Sequence, residues 1–409
     1  MVREGKQPRH GTRVEHLWKV LDQIRRRGSA TRDELARVTG LASQTVGDHL
    51  AKCPDLVDHD GHPRYVYRLR PGIAHVVGID VSHTRLRVAV ADLGLEEIGA
   101  ERTERVTAAE RASDVIELCA RMVRDVLDEV GTRPERVMGV GVGLPAPIGR
   151  DGRVTSNNIL RGWAGCDVEG ELGSLLGIPV EVNNDANLGA LGELALGAAR
   201  GCRHVLYVQA TTGIGCGLIV DGKLYRGARG IAGEAGHMVF EWRGGLACNC
   251  GNRGCLETVA GGQAIAELVR LTPVEGMDER ASLEERLMLI IDSAHAGHAP
   301  CRGALEAVGT HLGVAVANLC NVLDPDRVVI GSTLARAGDL VLESLRESVR
   351  RHTRFISDAW DRDELEEMIV AGRLQDRAEV HGAMVLVVRG WNERFVNRLR
   401  AMCDLESRV

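Results

Sequence analysis

The 409-residue chain is poor in aromatics: three Phe, four Tyr and five Trp make up 3% of it. Its core must therefore be built from Val, Leu, Ile and Ala. No run of 18 apolar residues occurs, which excludes an evident membrane span. The opening residues, MVREGKQPRHGTRVEH, lack the apolar stretch of a secretory signal. The 11 cysteines are odd in number and scattered, which argues against a disulfide framework; the cytoplasm is the expected compartment. No Gly-x-Gly-x-x-Gly follows an apolar run, so a dinucleotide fold has no support. Gly217 to Leu224 (GLIVDGKL) approaches a phosphate-binding loop but ends in Leu where a Mg²⁺-holding hydroxyl is needed. Its Asp221-Gly222 is better read as a hairpin turn.

What is present is an ordinary folded balance, 44% apolar and 26% charged, over a length that implies two or three domains. The net charge of −6 conceals an asymmetry. Residues 1–70 hold 14 Lys/Arg against 9 Asp/Glu, while the remainder is net −11. A small basic head on a large acidic body points to a polyanion-binding module joined to something else.

In the head, Val14, Leu17, Val20, Leu21 and Ile24 fall at helical spacing, and Gly28 stops that helix. Thr31 with Glu34 is a capping-box pattern that predicts a second helix over about 32–38. Thr39-Gly40-Leu41-Ala42 reads as a turn, and Ser43 as the cap of a third helix with Val46 and Leu50 buried. Two short helices on such a turn form the helix-turn-helix pattern. Ser43, Gln44, Thr45 and His49, with Lys52 behind them, are read as the front that meets base edges and phosphates. A hairpin turning at Asp60-Gly61 follows, with Arg64 and Arg68 beside Tyr65 and Tyr67, and reads as a basic wing. Charge and motif together imply double-stranded DNA as the partner.

Pro71-Gly72 marks a linker. Strands are expected at His75–Asp80, Arg85–Ala91, Val137–Gly143, at a run ending in Val180–Asp185, at His204–Ala210, Ile214–Val220 and Arg327–Ile330, with helices over 110–130 and 186–198. The pattern strand, polar turn, strand occurs at 75–91 and again at 204–220, so two similar α/β halves are expected. Strand ends carrying Asp, Thr and Gly are where such sheets bind ligands.

The densest chemical signal is His237 with Cys248, Cys250 and Cys255, the three thiols lying in Cys-x-Cys-Gly-x-x-Gly-Cys. Three Cys and one His close a tetrahedron with no open position, which implies a structural zinc ion rather than a catalytic one. The other eight cysteines show no ligand spacing and read as buried thiols.

The run Glu234-Ala-Gly-His237, followed by that cysteine motif and Glu257, resembles the ROK family of repressors, open reading frames and kinases. Asn183-Asn184-Asp185-Ala-Asn187 and Gly213-Ile-Gly-x-Gly217 resemble further family blocks, and the likeness runs from about residue 12 to 390. The resemblance implies an actin-like, hexokinase-type α/β domain of two lobes behind a winged helix-turn-helix. It places a sugar or sugar derivative in the cleft between the lobes. It makes Asp185 the base of a kinase reaction, gives Asn157 and Asn184 to sugar hydroxyls, and sets Glu234, His237 and Glu257 on the other side of the ring. Asp80, Thr84, Thr212 and Gly213 fall at the family's nucleotide loops.

Those loops are degraded. Family kinases carry Asp-x-Gly-Gly-Thr where this chain has Asp80-Val-Ser82-His83-Thr84, and Gly-Thr-Gly where it has Thr211-Thr212-Gly213; Gly331-Ser332 replaces a Gly-Gly pair. A bulky His where backbone N–H groups must meet phosphate obstructs nucleotide binding. The expected division is a flexible N-terminus at 1–12, a winged helix-turn-helix at 13–70, a linker at 71–74 and a sugar-binding ROK domain at 75–400 with its zinc site at 237–255. The expected function is a non-enzymatic, sugar-responsive repressor, a homodimer or higher homo-oligomer, without a membrane partner. The alternative is a sugar kinase with an appended DNA-binding domain and Asp185 as base.

Overall fold

The computed structural model describes residues 10–389 and Arg398, apart from 52–53, 55, 61–64, 71, 96, 108–109, 157–159 and 354–361. The head comprises α1 (His10–Arg27), β1 (Ala30–Thr31), α2 (Arg32–Thr39), α3 (Ser43–Leu50), β2 (Val57–Asp60) and β3 (Val66–Leu69). Both halves of the Thr31–Glu34 capping box form, and Gly40 ends α2 in the left-handed region at φ 70°. Leu17, Val20, Leu21 and Ile24 of α1 close over Leu35, Val46 and Leu50. The strands form an antiparallel sheet in the order β1-β3-β2.

Two expectations for the head need correction. Ala42, not Ser43, occupies the N-cap of α3; the Ser43 hydroxyl instead donates to Asp33 at 3.1 Å and ties α3 to α2. His49 is not on the exposed front. It lies three residues beyond buried Val46, on the same helical face, and is 8% exposed with its ring edge-on to His16. Arg68 is ion-paired across the hairpin to Asp60 at 3.1 Å, so the wing is less basic than its sequence reads. Lys52 and Arg64 lie outside the described residues.

The body contains two sheets of the same topology. The first lobe is built from β4 (His75–Val81), β5 (Arg85–Asp92), β6 (Glu97–Arg105), α4 (Ala112–Glu129), β7 (Val137–Leu144), α5 (Val168–Leu176) and β8 (Val180–Asn184). After α6 (Asp185–Ala195), the second lobe follows with β9 (Val205–Ala210), β10 (Ile214–Val220), β11 (Lys223–Leu224), α7 (Glu257–Ala260), α8 (Gly262–Val269), α9 (Leu283–His295), α10 (Ala299–Leu323), β12 (Arg327–Gly331), α11 (Asp339–His352), α12 (Arg362–Met368) and β13 (Ile369–Ala371). Last comes α13 (Ala378–Arg389). The sheet orders are β6-β5-β4-β7-β8 and β11-β10-β9-β12-β13. In each, the first three strands form an antiparallel meander and the fourth and fifth join in parallel. The repeat read from the sequence is thus a repeat of topology. Asp221 and Gly222 both have positive φ, 52° and 73°, as a tight β10–β11 hairpin requires. Helix α10 is long and apolar enough by composition to cross a membrane. Its Leu305, Val308, Leu312 and Val316 are instead packed in the second lobe's core.

The lobes meet where α6 crosses α13. The crossing is tight because glycines remove the side chains that would hold the backbones apart. A Cβ on Gly382 would collide with the Leu188 carbonyl, and one on Gly192 with the Ala378 carbonyl. On the sheet side, Gly78 and Gly141 admit the Val380 and Ala383 carbonyls of α13 in the same way. One apolar cluster joins α6, α13 and the core of the head. Gly382→Ala is therefore expected to cost about 1–3 kcal/mol of stability in denaturant unfolding. Gly303→Ala, in α10 with open space around it, should be neutral or stabilise by up to about 1 kcal/mol. Equal effects of the two substitutions would refute the close-packed crossing.

Candidate functional site

The carboxyl ends of β4, β8 and β9 and the N-termini of α6 and α13 converge on one cleft. It gathers Asp80, Thr84, Asn184, Asp185, Thr212, Gly213, Glu234, His237 and Glu257, all expected site residues. Asn157 lies outside the described residues. The cleft also holds Ser332, which the sequence places at a degraded nucleotide loop, and Gln209, Glu284 and Glu379, which sequence reasoning missed.

At the base of the cleft, Asn184 caps α6 by accepting from the Asn187 N–H at 3.2 Å, and donates to Asp185 at 3.0 Å. Asn183 faces inward and accepts from Asn187 Nδ2 at 3.1 Å, so it braces the turn from within. Asp185 thereby starts α6 with its carboxylate in the cleft, one oxygen accepting from the Ala186 N–H at 2.9 Å. Opposite, Gln209 Nε2 and the Tyr207 hydroxyl both donate to Glu379, each at 3.1 Å. Burial, and then the neighbouring Asp80 charge, raise Asp185 to about 7 and Glu379 to about 8. Burial also raises Asp80 to about 6 against the pull of Arg85 and Arg87. Three acids in one dry space cannot all ionise at their ordinary values.

The other wall is the turn carrying Glu234 and His237, which Gly233 and Gly236 press against β10: a Cβ on either would strike the carbonyl of Cys216 or Ile214. Burial raises Glu234, opposed by His237. Glu257 accepts from the Ile214 N–H at 3.0 Å and from the Cys248 thiol at 3.9 Å, so one carboxylate touches both the cleft wall and the cysteine loop.

The donor atoms of His237, Cys248, Cys250 and Cys255 all lie within 4.8 Å of one another. Cys250 Sγ and Cys255 Sγ are 3.7 Å apart, and Cys248 Sγ and His237 Nδ1 are 3.6 Å apart. A disulfide would need about 2.05 Å. A tetrahedron with Zn–S arms of about 2.3 Å has edges of about 3.8 Å, and the His edge is slightly shorter. The cluster fits such an ion. Gly251 and Gly254, at φ 90° and 69°, supply the left-handed turns that wrap the loop.

Residues 76–389 match the ROK family. The chain belongs to the ROK family. A xylose repressor of Caldicellulosiruptor bescii is 27% identical over 373 residues, covering 88% of this chain and 91% of that protein. A ROK family glucokinase from Streptomyces griseus, solved with glucose and AMPPNP, is 26% identical with a TM-score of 0.68. It covers 78% of this chain and all of that one. A ROK family transcriptional regulator, a homolog of the E. coli MLC protein, superposes with a TM-score of 0.77 at 21% identity, covering 96% of this chain and 99% of that one. The ROK fold, including a small N-terminal unit ahead of the two lobes, is thus shared with regulators along nearly the whole length.

The raised acids link stability to pH. Asp80, Asp185 and Glu379 hold protons more tightly folded than unfolded, where carboxyls titrate near about 4. Their contribution is therefore complete below pH ~4 and is lost as pH rises through about 6–8. Melting temperature should fall between pH 5.5 and 8, and Asp185→Asn or Glu379→Gln should flatten the fall. An unchanged slope in both variants would contradict the buried-acid account.

Proposed function

We propose that the chain is a sugar-responsive transcriptional repressor, with a head that binds operator DNA and a cleft that binds a sugar or sugar derivative. The observation that carries this reading is the pairing, in one chain, of a helix-turn-helix head with a cleft of carboxylates and amides. The similarity to a xylose repressor, which runs over most of both chains, supports it. Carboxylates and amides are the groups that read vicinal hydroxyls, and leaving them unpaired penalises a wrong sugar.

In this reading residues 13–70 are the winged helix-turn-helix, 71–74 the linker and 75–400 the sugar-binding domain. Ser43, Gln44 and Thr45, at the accessible start of α3, meet the DNA. Lys52 and Arg64 are assigned to phosphates. Asn184, Asp185, Glu234, His237 and Glu257, with Asn157, hold the sugar. A homodimer reads a pseudo-palindrome with half-sites about 34–36 Å apart or multiples of that. A regulator of transcription works where the DNA is, in the cytoplasm.

His237, Cys248, Cys250 and Cys255 are assigned to one structural zinc ion, which supplies a rigid clip and no open coordination position. The clip holds Glu257 and His237 at the cleft wall. Cys250→Ser is expected to abolish zinc retention, lower the melting temperature and weaken sugar binding by about 10–100-fold. A zinc-free variant with an unaltered sugar response would remove the metal from the mechanism.

The chain does not act as a sugar kinase in this reading, although Asp185 is placed and tuned as a general base would be. Genomic fragments captured by the purified protein, then challenged with a panel of sugars, test the proposal. One sugar should shift the affinity for a captured palindrome at least tenfold. A coupled assay with the same sugars should show no ATP turnover near the ordinary enzyme range of ~1 s⁻¹ or above. Turnover at that rate without specific DNA capture would favour the kinase instead.

A further inference from the structure

Helix α9 of the second lobe opens with Ser282-Leu-Glu-Glu285. Glu285 spends its carboxylate on the cap, accepting from the Ser282 N–H at 2.8 Å. Glu284 does not. It reaches across the mouth of the cleft to the turn that joins β4 to β5 in the first lobe. There it accepts from the Thr84 hydroxyl at 2.8 Å and pairs with the Arg85 guanidinium at 3.1 Å. Both partners are largely dry: the side chains of Arg85 and Glu284 are 18% and 12% exposed.

That turn has the chemistry of an anion seat: a hydroxyl, a guanidinium and successive backbone N–H groups at the end of a buried strand. The Thr84 hydroxyl, the Nη atoms of Arg85 and the N–H groups of Thr84 and Arg85 are engaged from within the chain. The Ser82 hydroxyl accepts from the N–H groups of Thr84 and Arg85, at 3.3 and 3.1 Å. Glu284 takes the hydroxyl and shares the guanidinium with Asp376, whose carboxylate lies 3.4 Å from Arg85 Nη1 and whose carbonyl accepts from Nη2 at 3.2 Å. His83 stands in the same turn, and burial lowers its basicity, so it adds bulk and no fixed positive charge. The glucokinase of this fold was solved with a triphosphate analogue bound. Such a ligand presents the same kind of oxygen, with negative charge, that the Glu284 carboxylate presents here.

We propose that Glu284 is a tethered carboxylate seated in a polyphosphate site, and that it excludes nucleotide phosphates from the cleft of this chain. Two steps make the exclusion. Repulsion keeps a second anion away from Glu284, and displacement of Glu284 would strand a buried, charged side chain. The pair also fastens one lobe to the other across the cleft mouth, so a nucleotide could enter only by breaking an interlobe contact. This inference goes beyond sugar-responsive repression, because it concerns an anion site that would exist whichever sugar, if any, the cleft takes.

Tripolyphosphate binding, measured by calorimetry at low ionic strength, is the test. Wild type, Glu284→Ala, Glu284→Gln, the double variant Arg85→Ala/Glu284→Ala, and Glu343→Ala on the distant α11 form the set. Glu343→Ala removes the same charge elsewhere and corrects for net charge. Glu284→Gln keeps the side chain's shape where the alanine variant does not fold. Both Glu284 variants should bind tripolyphosphate at least tenfold more tightly than wild type, and the double variant should lose that gain. No gain, a gain matched by Glu343→Ala, or a gain that survives loss of Arg85 would overturn the proposal. Sugar binding by wild type, measured in parallel, tests the repressor reading separately.

Discussion

The structure depends on how closely α13 can approach its neighbours. This helix sits against β4 and β7 of the first lobe and against α6, which leads into the second. At Gly78, Gly141, Gly192 and Gly382 a backbone carbonyl occupies the space where a Cβ would stand. Four such contacts on one 12-residue helix leave little room for a shift without a collision. The same close approach brings the N-termini of α6 and α13 together, which is why Asp185 and Glu379 share one cleft although 194 positions separate them in sequence. Arg87 fixes the entry to α13 by donating to Asp376 at 2.8 Å, and Arg377 pairs with Glu101 on β6 at 2.6 Å.

That juxtaposition sets the electrostatics. Asp80 and Glu379 are 3% and 2% exposed and Asp185 is half-buried, each on a largely apolar element, so little water reaches them. Glu379, raised to about 8, keeps its proton at neutral pH while Asp80, at about 6, largely gives its own up, so the cleft offers both donors and acceptors. A polyhydroxylated ligand needs both. A phosphate-bearing ligand needs surplus positive charge, and the groups at the β4–β5 turn that supply it are already committed to Glu284 and Ser82. The cleft is thus built from two differently tuned regions, one lined by buried acids and amides and one engaged from within.

Much of this was legible before the structure. The Thr31–Glu34 capping box and the Asp221-Gly222 hairpin are local signals that formed as their patterns imply, and the thiols spaced over 248–255 do cluster with His237. His49 was misplaced because a polar residue three positions from Val46 was read by type rather than by helical face. Strand β6 was not foreseen: its run Glu-Arg-Thr-Glu-Arg is polar, because its charges pair with α4, α9 and the loop before α13. Glu379 and Glu284 could not be assigned from local pattern. Each functions only through partners more than 150 residues away, Tyr207 for one and Thr84 for the other. A single acid in the apolar run Ala-Glu-Val-His-Gly-Ala-Met-Val-Leu-Val-Val was the one signal available for the former.

The far end of α13 completes the argument. Its last residue, Arg389, is largely buried. Burial, and then the charges of Arg26 and Arg25, lower it to about 10, with Asp22 opposing. Those three residues belong to α1 of the head, where Asp22 is 2% exposed and bonded to both Arg25 and Arg26. One helix therefore carries a cleft acid at its first turn and abuts the head at its last, over a length of about 16 Å at 1.5 Å per residue. Its glycine contacts leave little slack between those ends.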